Sequence, residues 1–271
     1  MFKELDETNL ERYSRQILLR EWGPEGQKRV HDSSVLIVGA GGLASAAALF
    51  LAGAGVGTLG ILDPDNVSLS NLHRQIMHTT QFLGLPKVNS AKHQLSLINP
   101  QTHIQTYPFK LDVNNAPELF SRYDLILEAT DNFAAKYLVN DAAHLVKKPA
   151  VLGAALGLSG QFLSIRPYAG PCYRCLFPQI PPPDTAPTCS SEGVMGPLVG
   201  IISSHQALEA LRVILDWPTK THGKLFTFDA WENSSNSYTF TPDPKCPACS
   251  QELSPALLKT LNPIYPHESC T

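Results

Sequence analysis

Four of the six cysteines in the chain stand in two short pairs, and their spacing points to metal binding. Cys172 and Cys175 form the first pair, and Cys246 and Cys249 form the second. Two Cys-x-x-Cys pairs brought together supply four thiolates, which is the ligand set of a closed structural zinc site. A redox-active motif would need only one pair beside a helix N-terminus, so zinc is the better interpretation. The sequence therefore predicts a zinc site that joins two distant segments.

A glycine-rich turn after a predicted buried strand could hold the phosphates of a nucleotide. Val35–Val38 is a continuous apolar run, and it is followed by Gly39, Gly41 and Gly42 before a helical segment. Glycine allows the backbone to approach a phosphate closely, and a helix N-terminus adds amide donors and partial positive charge. Asp63 ends the next predicted strand, where a carboxylate can reach a ribose hydroxyl. The pattern predicts a nucleotide-binding βαβ unit but does not separate a dinucleotide from ATP.

Two cations and a further carboxylate are expected near this turn. Arg74 and Lys87 flank the loop after Asp63, and cations there could neutralise the charge that develops in nucleotidyl transfer. Asp131 follows the predicted strand Leu125–Leu127 at the same sheet edge and could hold a magnesium ion. A structural alternative stays open, because Asp-Asn is also a good N-cap for a following helix.

Cys189 stands outside both cysteine pairs, between a proline-rich loop and a glycine-marked helix start. A thiol near a helix N-terminus has a lowered pKa and reacts as a thiolate. An inert small side chain explains the residue equally well, so both interpretations stay open. Cys270, in the tail, is given no role.

The elements that must position these residues alternate between strand and helix up to residue 152. This alternation predicts an α/β fold with a doubly wound, mostly parallel Rossmann-like sheet and helices on both faces. The predicted strands are Val35–Val38, Thr58–Leu62, Ile104–Tyr107, Leu125–Leu127, Ala150–Leu152, Gln161–Ile165, Lys224–Phe228 and Ser237–Thr241. Helices are predicted over residues 1–32, Leu43–Leu51, Lys87–Ile98, Phe133–Val146 and Leu198–Leu215.

The second half of the chain changes character. The last strands are expected to form an antiparallel C-terminal extension clamped by the zinc. Pro178–Pro187 reads as a stiff surface loop, and Ser250–Thr271 as a tail that is loosely held. One domain is therefore predicted over residues 1–249, with a nucleotide-binding half (1–152) and a zinc-binding half (153–249).

Composition excludes several classes of protein. Of the 271 residues, 43% are hydrophobic and 17% are charged, which supports a large core and argues against disorder. A net charge of −3 without a basic cluster argues against nucleic acid as a partner. No apolar run reaches membrane-spanning length and the N-terminus is not signal-like, so we expect a cytoplasmic protein without a membrane partner.

Taken together, these motifs resemble the ThiF/MoeB/HesA family, the bacterial relatives of ubiquitin-activating enzymes. The resemblance extends from about Glu11 to Cys249, and each motif is weak alone, whereas their order is specific. Its landmarks are Arg12–Ile17, Val38–Leu43, Leu62–Asp65, Leu69–Gln75, Pro86-Lys87, Thr130–Asn132, the two cysteine pairs, and Cys189 followed by Gly193–Pro197.

The resemblance implies that the chain uses ATP and Mg2+ to adenylate the C-terminal glycine carboxylate of a ubiquitin-like sulfur-carrier protein. It also implies a homodimer. The carrier is expected to be of the ThiS type, which serves thiamine thiazole biosynthesis, with MoaD of molybdopterin biosynthesis as the alternative. No rhodanese domain follows Cys249, so sulfur is expected from a separate donor such as a cysteine desulfurase. Residues 153–249 would then also bind the carrier.

Individual roles follow from the matched motifs. By resemblance, Gly42 lies against the phosphates, Asp63 holds the ribose and Asp131 holds magnesium. Arg15 would reach in from the other subunit, and Cys189 could form a covalent link with the carrier through sulfur. The implied nucleotide-binding residues are Gly39, Gly41, Gly42, Asp63, Asp65, Ser70, Asn71, Arg74, Lys87, Asp131 and Asn132. The implied catalytic residues are Arg15, Arg74, Lys87, Asp131 and Cys189.

Two departures from the family pattern and two rival functions are weighed against this reading. Ala44 replaces a glycine of the turn, and His73 replaces a common glutamine. An NAD-dependent Rossmann oxidoreductase would explain the glycine turn and Asp63 but not the four paired cysteines. A non-catalytic scaffold would be expected to lack cations such as Arg74 or Lys87, and both are present.

Overall fold

The computed structural model describes residues 7–181, 192–218 and 221–262, and its strands form one eight-stranded sheet. In chain order they are β1 (Ser34–Val38), β2 (Thr58–Leu62), β3 (His103–Tyr107), β4 (Leu125–Glu128), β5 (Ala150–Leu156), β6 (Ser159–Ile165), β7 (Lys224–Asp229) and β8 (Ser234–Thr239). The order across the sheet is β3-β2-β1-β4-β5-β6-β7-β8, parallel from β3 to β5 and antiparallel from β5 to β8. The doubly wound, mostly parallel sheet with an antiparallel extension is confirmed.

Helices cover both faces of this sheet and enclose two apolar cores. They are α1 (Glu7–Ile17), α2 (Gly23–Asp32), α3 (Gly42–Ala54), α4 (Lys87–Ile98), α5 (Ala116–Ser121), α6 (Phe133–Leu145), α7 (Tyr173–Leu176), α8 (Gly196–Ile214) and α9 (Pro255–Leu261). The first core packs α2, α3, α4 and α8 on one face, and the second packs α5, α6 and α9 on the other. The neighbouring strand residues Ile37 and Leu36 point into opposite cores, as expected for a strand buried on both faces.

The strand order brings the predicted site residues to one edge of the sheet. β1 pairs in parallel with β2 on one side and with β4 on the other, so the carboxyl ends of these three strands lie together. Gly39 follows β1, Asp63 follows β2 and Asp131 follows shortly after β4. Open α/β sheets bind ligands in the crevice outside the carboxyl ends of the strands, where the strand order reverses.

The N-terminal segment and some short elements differ from the prediction. In place of one helical stretch, α1 ends at Ile17 and α2 begins at Gly23, which has φ of +57° and is followed by a proline that favours a new helix start. Strand β8 begins at Ser234 rather than Ser237. Helices α5 and α7 were not predicted, because six and four residues are too few to show a helical period.

The expectation that the residues after Cys249 are loosely held is wrong for α9. Ser254 caps this helix by accepting a hydrogen bond from the Leu257 amide, and Leu258 is fully buried in the second core. Asn262 donates to Asp141 Oδ2 at 2.8 Å. The segment is thus attached through side chains that lie far away in the sequence, which no local pattern reveals.

Some predictions fall outside the described residues. They concern Cys189, Cys270 and the part of the proline-rich loop after Pro181. In the ranges that the structure does describe, no helix is both long enough and apolar enough to cross a membrane.

Candidate nucleotide site and metal centre

The turn after β1 has the backbone geometry that a phosphate cradle requires. Gly39 has φ of +97°, and its amide donates to the carbonyl of Leu62 at 2.7 Å. A Cβ atom at Gly39 would lie 2.9 Å from the carbonyl oxygen of Ala129, so only glycine fits there. Gly41 is the N-cap of α3, and no side chain caps this helix, which leaves its first amides available to an anion.

A second helix and one buried amide border this turn. A Cβ atom at Gly42 would lie 2.8 Å from Val199 Cγ1, because α8 packs against the start of α3. Gln75 is buried beside the turn, with Nε2 3.5 Å from the place that a Cβ atom at Gly41 would take. Its Oε1 has no hydrogen-bond partner among the described residues. An orphaned buried oxygen beside an open cradle fits a site that a polar ligand completes.

Asp63 is positioned by the turn itself and is 7% exposed. Its Oδ2 accepts from the Ala40 amide at 2.7 Å, and its Oδ1 accepts from the Asp65 amide at 2.8 Å. Lys87 is also buried and places Nζ 2.8 Å from Asp65 Oδ2 and 3.9 Å from Asp63 Oδ1. Burial raises the pKa of Asp63 above its usual value, whereas Lys87 and the two amides lower it. The ammonium therefore offsets the repulsion that these carboxylates would exert on a bound phosphate.

His78 links the turn to α4. Its Nε2 lies 2.7 Å from the Ala40 carbonyl oxygen and its Nδ1 lies 2.9 Å from Ser90 Oγ. Because a carbonyl only accepts, Nε2 carries the proton and Nδ1 accepts from the serine hydroxyl in the neutral ring. Burial lowers the pKa of His78, the hydrogen bond to Ala40 opposes this effect, and Lys87 lowers the pKa further.

This burial makes stability depend on pH in a defined direction. A histidine whose pKa is lowered by folding binds fewer protons in the folded chain, so the free energy of unfolding decreases as the pH falls below about 6.5. We expect a lower melting temperature at pH 5.5 than at pH 7.5. In His78→Gln this decrease should be smaller, because unfolding should then take up fewer protons, by up to about one. Calorimetric unfolding measures this, with His93→Gln at an exposed position of α4 as the control. Identical pH dependence in His78→Gln and wild type would contradict the assignment.

Arg74 is held by neutral groups in the loop between β2 and α4. Its Nη2 donates to Asn71 Oδ1 at 2.8 Å, and its Nη1 lies 3.4 Å from the Ser70 carbonyl oxygen. Nη1 is also 2.8 Å from His73 Nε2, so this ring nitrogen accepts and the departure at position 73 gives the guanidinium an additional contact. None of these partners carries a negative charge, and the arginine can therefore attract a phosphate.

Asp131 is exposed between two residues that the structure fixes. Thr130 donates its amide and its hydroxyl to Glu128 Oε1 at 2.8 and 2.5 Å. Asn132 is the N-cap of α6, and its Oδ1 accepts from the Ala135 amide at 3.0 Å. The capping alternative is therefore confirmed for Asn132. Asp131 keeps an exposed carboxylate, an oxygen ligand of the kind that Mg2+ prefers.

Arg15 lies far from the phosphate turn of its own chain. It is exposed on α1, and the next residue, Gln16, donates to the Ala54 carbonyl at 2.8 Å. Ala54 is the last residue of α3, a helix of 13 residues that is about 20 Å long and begins at Gly42. The segment of α1 that carries Arg15 is thus attached, through Gln16, at the opposite end of α3 from the turn.

The four paired cysteines converge, as their spacing predicts. Their Sγ atoms all lie within 4.8 Å of one another. Cys172 is 3.5 Å from Cys246, and Cys175 is 3.3 Å from Cys249. Zn–S bonds of about 2.3 Å in a tetrahedron separate the sulfurs by about 3.8 Å, so this cluster fits zinc. Hydrogen bonds to neighbouring thiols and burial raise the pKa of Cys172, and a bound cation would hold all four groups as thiolates.

Arg174, inside the first cysteine pair, joins this centre to α6. Its Nε and Nη2 bind both carboxylate oxygens of Asp141 at 2.7–3.0 Å, and both side chains are buried. Nη2 also donates to the carbonyl of Leu261 in α9 at 3.0 Å. The cysteine-bearing turn is therefore tied to two helices of the second core.

Sequence reasoning gave no role to the buried polar residues that support the site. Glu128 carried a signal, because a carboxylate at the end of a strand buried on both faces is unusual. No sequence signal marked Gln75, His78 or Lys136, since a single polar residue in a loop or helix is usually expected to be solvent-exposed. Only the packed structure shows that all four are buried.

Comparisons with known proteins agree with this arrangement. The model of the ThiF family matches residues 13–249. Adenylyltransferase and sulfurtransferase MOCS3 of Culex quinquefasciatus is 45% identical over 260 residues, covering 96% of this chain and 59% of that protein. Sulfur carrier protein adenylyltransferase of Thermus thermophilus is 44% identical over 248 residues, covering 90% of this chain and 92% of that protein. The chain thus spans about half to three fifths of the length of the MOCS3 relatives that it matches.

The comparison with solved structures concerns the fold. The crystal structure of E. coli MccB with ATP matches with a TM-score of 0.78 and 19% identity, covering 92% of this chain and 76% of that chain. At this identity the match shows a shared fold and no more.

Proposed function

This chain belongs to the ThiF family, and on that basis we propose that it is an ATP-dependent adenylyltransferase for the C-terminal glycine carboxylate of a ubiquitin-like sulfur-carrier protein. The observation that carries the proposal is the meeting of the uncapped start of α3, Asp63 and the buried Lys87 at one sheet edge. Relatives named as adenylyltransferases support the reaction type. An NAD-dependent oxidoreductase would explain the glycine turn and Asp63, but it leaves the buried Lys87 and the four clustered cysteines without a role.

In the proposed reaction, a carboxylate oxygen of the carrier attacks the α-phosphorus of ATP. A bond forms between that oxygen and the phosphorus, the bond from the phosphorus to the α,β-bridging oxygen breaks, and pyrophosphate leaves with the electron pair. The product is a mixed anhydride of the carrier and AMP. The attacking carboxylate is already ionised, so the chain needs to position the reactants and neutralise charge rather than supply a general base.

The nucleotide would lie against the glycine turn. Each oxygen of Asp63 already accepts one amide and retains capacity to accept a ribose hydroxyl. Arg74 and Lys87 would neutralise the triphosphate, and Asp65 would hold the Lys87 ammonium in place. The proposed nucleotide-binding residues remain Gly39, Gly41, Gly42, Asp63, Asp65, Ser70, Asn71, Arg74, Lys87, Asp131 and Asn132.

Two metals belong to the proposal. Asp131 would hold Mg2+, which when bound neutralises phosphate charge and orients the leaving group. Cys172, Cys175, Cys246 and Cys249 would hold Zn2+ in a closed site, so its role would be structural rather than catalytic.

We also propose a homodimer in which Arg15 reaches the nucleotide bound to the other subunit. Gln16 attaches the neighbouring part of α1 to the far end of α3, and this position of Arg15 supports a role outside its own site. Arg12 donates to the Ile98 carbonyl at 3.0 Å, which brings α1 against the end of α4. Apolar side chains exposed on these two helices, Leu10 and Leu97, fit a subunit interface.

Mixing two inactive variants tests this transfer of Arg15. Arg15→Ala and Asp131→Ala are each expected to lose adenylation as homodimers. After subunit exchange, half of the dimers are mixed and each mixed dimer has one complete site, so activity should recover to about a quarter of wild type. Pyrophosphate exchange measures the recovery, and native mass spectrometry verifies the mixed dimers. Mixed dimers without recovered activity would show that Arg15 acts in its own subunit or not at all.

We favour a ThiS-type carrier of thiamine thiazole biosynthesis on the sequence resemblance, with a MoaD-type carrier of molybdopterin biosynthesis as the alternative. Residues 1–152 would bind the nucleotide, residues 153–249 would bind the carrier and zinc, and Cys189 is a candidate for a covalent carrier link. A separate donor such as a cysteine desulfurase would supply sulfur. A cytoplasmic location without nucleic-acid or membrane partners remains the expectation.

Exchange of labelled pyrophosphate into ATP tests the function, with purified ThiS and purified MoaD supplied in turn. Exchange with ThiS alone supports adenylation and the thiamine branch, whereas exchange with MoaD alone moves the chain to the molybdopterin branch. If neither carrier supports exchange, adenylation of these carriers is contradicted and a scaffold role takes its place.

A further inference from the structure

We propose that Lys136 and Glu128 are positioning residues that hold the loop of Asp131, and with it the magnesium site, against the phosphate turn. This inference rests on the proposed function, because it concerns the same loop. It assigns a role to two buried side chains that would not touch the nucleotide. Their role is to fix the backbone on both sides of an exposed carboxylate.

Lys136 uses its ammonium to join three segments. Near the start of α6, its side chain is 5% exposed. Its Nζ lies 2.5 Å from Glu128 Oε2, 2.8 Å from the Thr130 carbonyl oxygen and 2.5 Å from the Gly153 carbonyl oxygen. An ammonium has three donors, so its hydrogen-bonding capacity is used completely. Strands β4 and β5 and the loop of Asp131 are therefore joined at a single atom.

Glu128, at the end of β4, binds the same loop through its carboxylate. Its Oε1 accepts from both the amide and the hydroxyl of Thr130, while its Oε2 pairs with Lys136. The amide, the carbonyl and the hydroxyl of Thr130 are thus all bound by this one ion pair. The residue after Asp131 is fixed as well, because Asn132 caps α6. Asp131 is exposed, but its backbone is held on both sides.

The same loop forms one wall of the phosphate turn. A Cβ atom at Gly39 would lie 2.9 Å from the Ala129 carbonyl oxygen and 3.3 Å from Thr130 Cγ2. From the other face of the sheet, Gln206 of α8 donates to the Glu128 carbonyl at 2.7 Å. A shift of the Thr130 backbone would therefore displace Asp131 relative to the phosphate turn.

Stability alone does not explain a charged pair at this place. Transfer of both charges into the interior is costly, and well-packed apolar residues of similar volume often stabilise a fold equally well or better. An apolar pair could not fix the orientation of the Thr130 backbone, because it would not form hydrogen bonds with the amide, hydroxyl and carbonyl of this residue. Residues that orient metal ligands by hydrogen bonding typically change metal affinity by about 10- to 100-fold when removed.

The double variant Glu128→Gln/Lys136→Met tests this role. It removes both charges together, so that neither is left buried alone, and it releases the Thr130 carbonyl. Calorimetry with α,β-methylene-ATP, with and without Mg2+, measures the gain in affinity that Mg2+ provides. We expect affinity without Mg2+ to be retained and the gain from Mg2+ to fall by about tenfold or more. The single variant Lys136→Arg keeps the positive charge and the donors, so it should retain more of the affinity gain from Mg2+ than the double variant does.

A second buried ion pair on α6 provides a matched control. Asp141→Asn/Arg174→Met also removes two buried charges but lies beside the zinc centre rather than the loop. It should lower the melting temperature and leave the gain from Mg2+ unchanged. An equal loss of gain in this control would overturn the positioning role, because a general loosening of α6 would then explain both results.

The remaining outcomes separate this inference from the proposed function. If wild type gains no affinity from Mg2+, the magnesium site of the proposed function fails and the inference fails with it. If wild type gains affinity and Glu128→Gln/Lys136→Met gains equally, only the positioning role is overturned. Should the double variant not fold, the nearly isosteric Thr130→Val removes the hydroxyl that donates to Glu128 Oε1 and accepts from the Asn132 amide at 3.3 Å. A severalfold loss of the gain from Mg2+ supports the role, and an unchanged gain overturns it.

Discussion

Replacing Lys87 with methionine is expected to lower carrier-dependent pyrophosphate exchange by about 10²- to 10³-fold while the chain stays folded. The ammonium is buried, so it acts in a medium of low dielectric constant, where a single charge contributes more to a developing phosphate charge than it would in water. Its removal also leaves Asp63 and Asp65 without their nearest cation. Two uncompensated carboxylates would then repel the triphosphate.

The fold should survive this change at lower stability, because Asp63 keeps the hydrogen bonds from the Ala40 and Asp65 amides after its cation is lost. The backbone amide of Lys87 donates to the Asp65 carbonyl at 2.9 Å, and this link at the start of α4 remains when the side chain is replaced. Methionine has a similar length and can occupy the same buried channel. Lys92→Met on the same helix is the matched control, because Lys92 is exposed and should tolerate the identical change without loss. Similar exchange rates for Lys87→Met and Lys92→Met would contradict the role of Lys87.

Replacing Cys172 with serine is expected to remove zinc and to lower the melting temperature by about 6 °C or more. A serine hydroxyl is a poor zinc ligand, and structural zinc contributes its binding free energy directly to folding. A loss of about 3 kcal/mol corresponds to about 6–12 °C for a domain of this size. The four thiols connect α7 and its N-cap to the segment after β8, so the antiparallel extension should loosen first.

Metal analysis and thermal unfolding measure the two parts of this prediction. Cys270→Ser is the control, because it removes one thiol from the chain and leaves the four clustered cysteines intact. Wild type and Cys270→Ser should each carry about one zinc per chain, and Cys172→Ser should carry none. Full zinc content in Cys172→Ser would show that the metal is not bound by this cluster. Loss of zinc without loss of stability would show that it is not structural.

The sheet could be predicted closely from the sequence because its strands are buried on both faces. Runs such as Val35–Val38 and Leu125–Leu127 are apolar without alternation, and the glycine turn and Asp63 mark where two of them end. The termini were harder to predict. Helix α9 is amphipathic over only seven residues, and its attachment depends on Asp141 and Arg174, which lie far away in the sequence.

The exposed and turn-forming residues of the candidate site were predictable for a chemical reason. Glycines, arginines and cysteines at fixed spacings indicate a phosphate turn, a cation and a metal site through their residue type alone. The buried residues that support the site could not be predicted in this way. In the sequence, Lys136 cannot be distinguished from a surface lysine, because its burial depends on the packing of α6 against the sheet. Two of its three acceptors are backbone carbonyls, which every residue has, so the sequence does not indicate these contacts.

The sharpest test of adenylation is the intact mass of the carrier after incubation with this chain, ATP and Mg2+. We expect ThiS, or in the alternative MoaD, to gain the mass of one AMP less one water at its C-terminal glycine. A carrier without that glycine should gain nothing, and neither carrier should react with α,β-methylene-ATP, whose α,β-bridge does not break. If both carriers keep their original mass while the chain binds ATP, the chain is a nucleotide-binding relative that does not activate them.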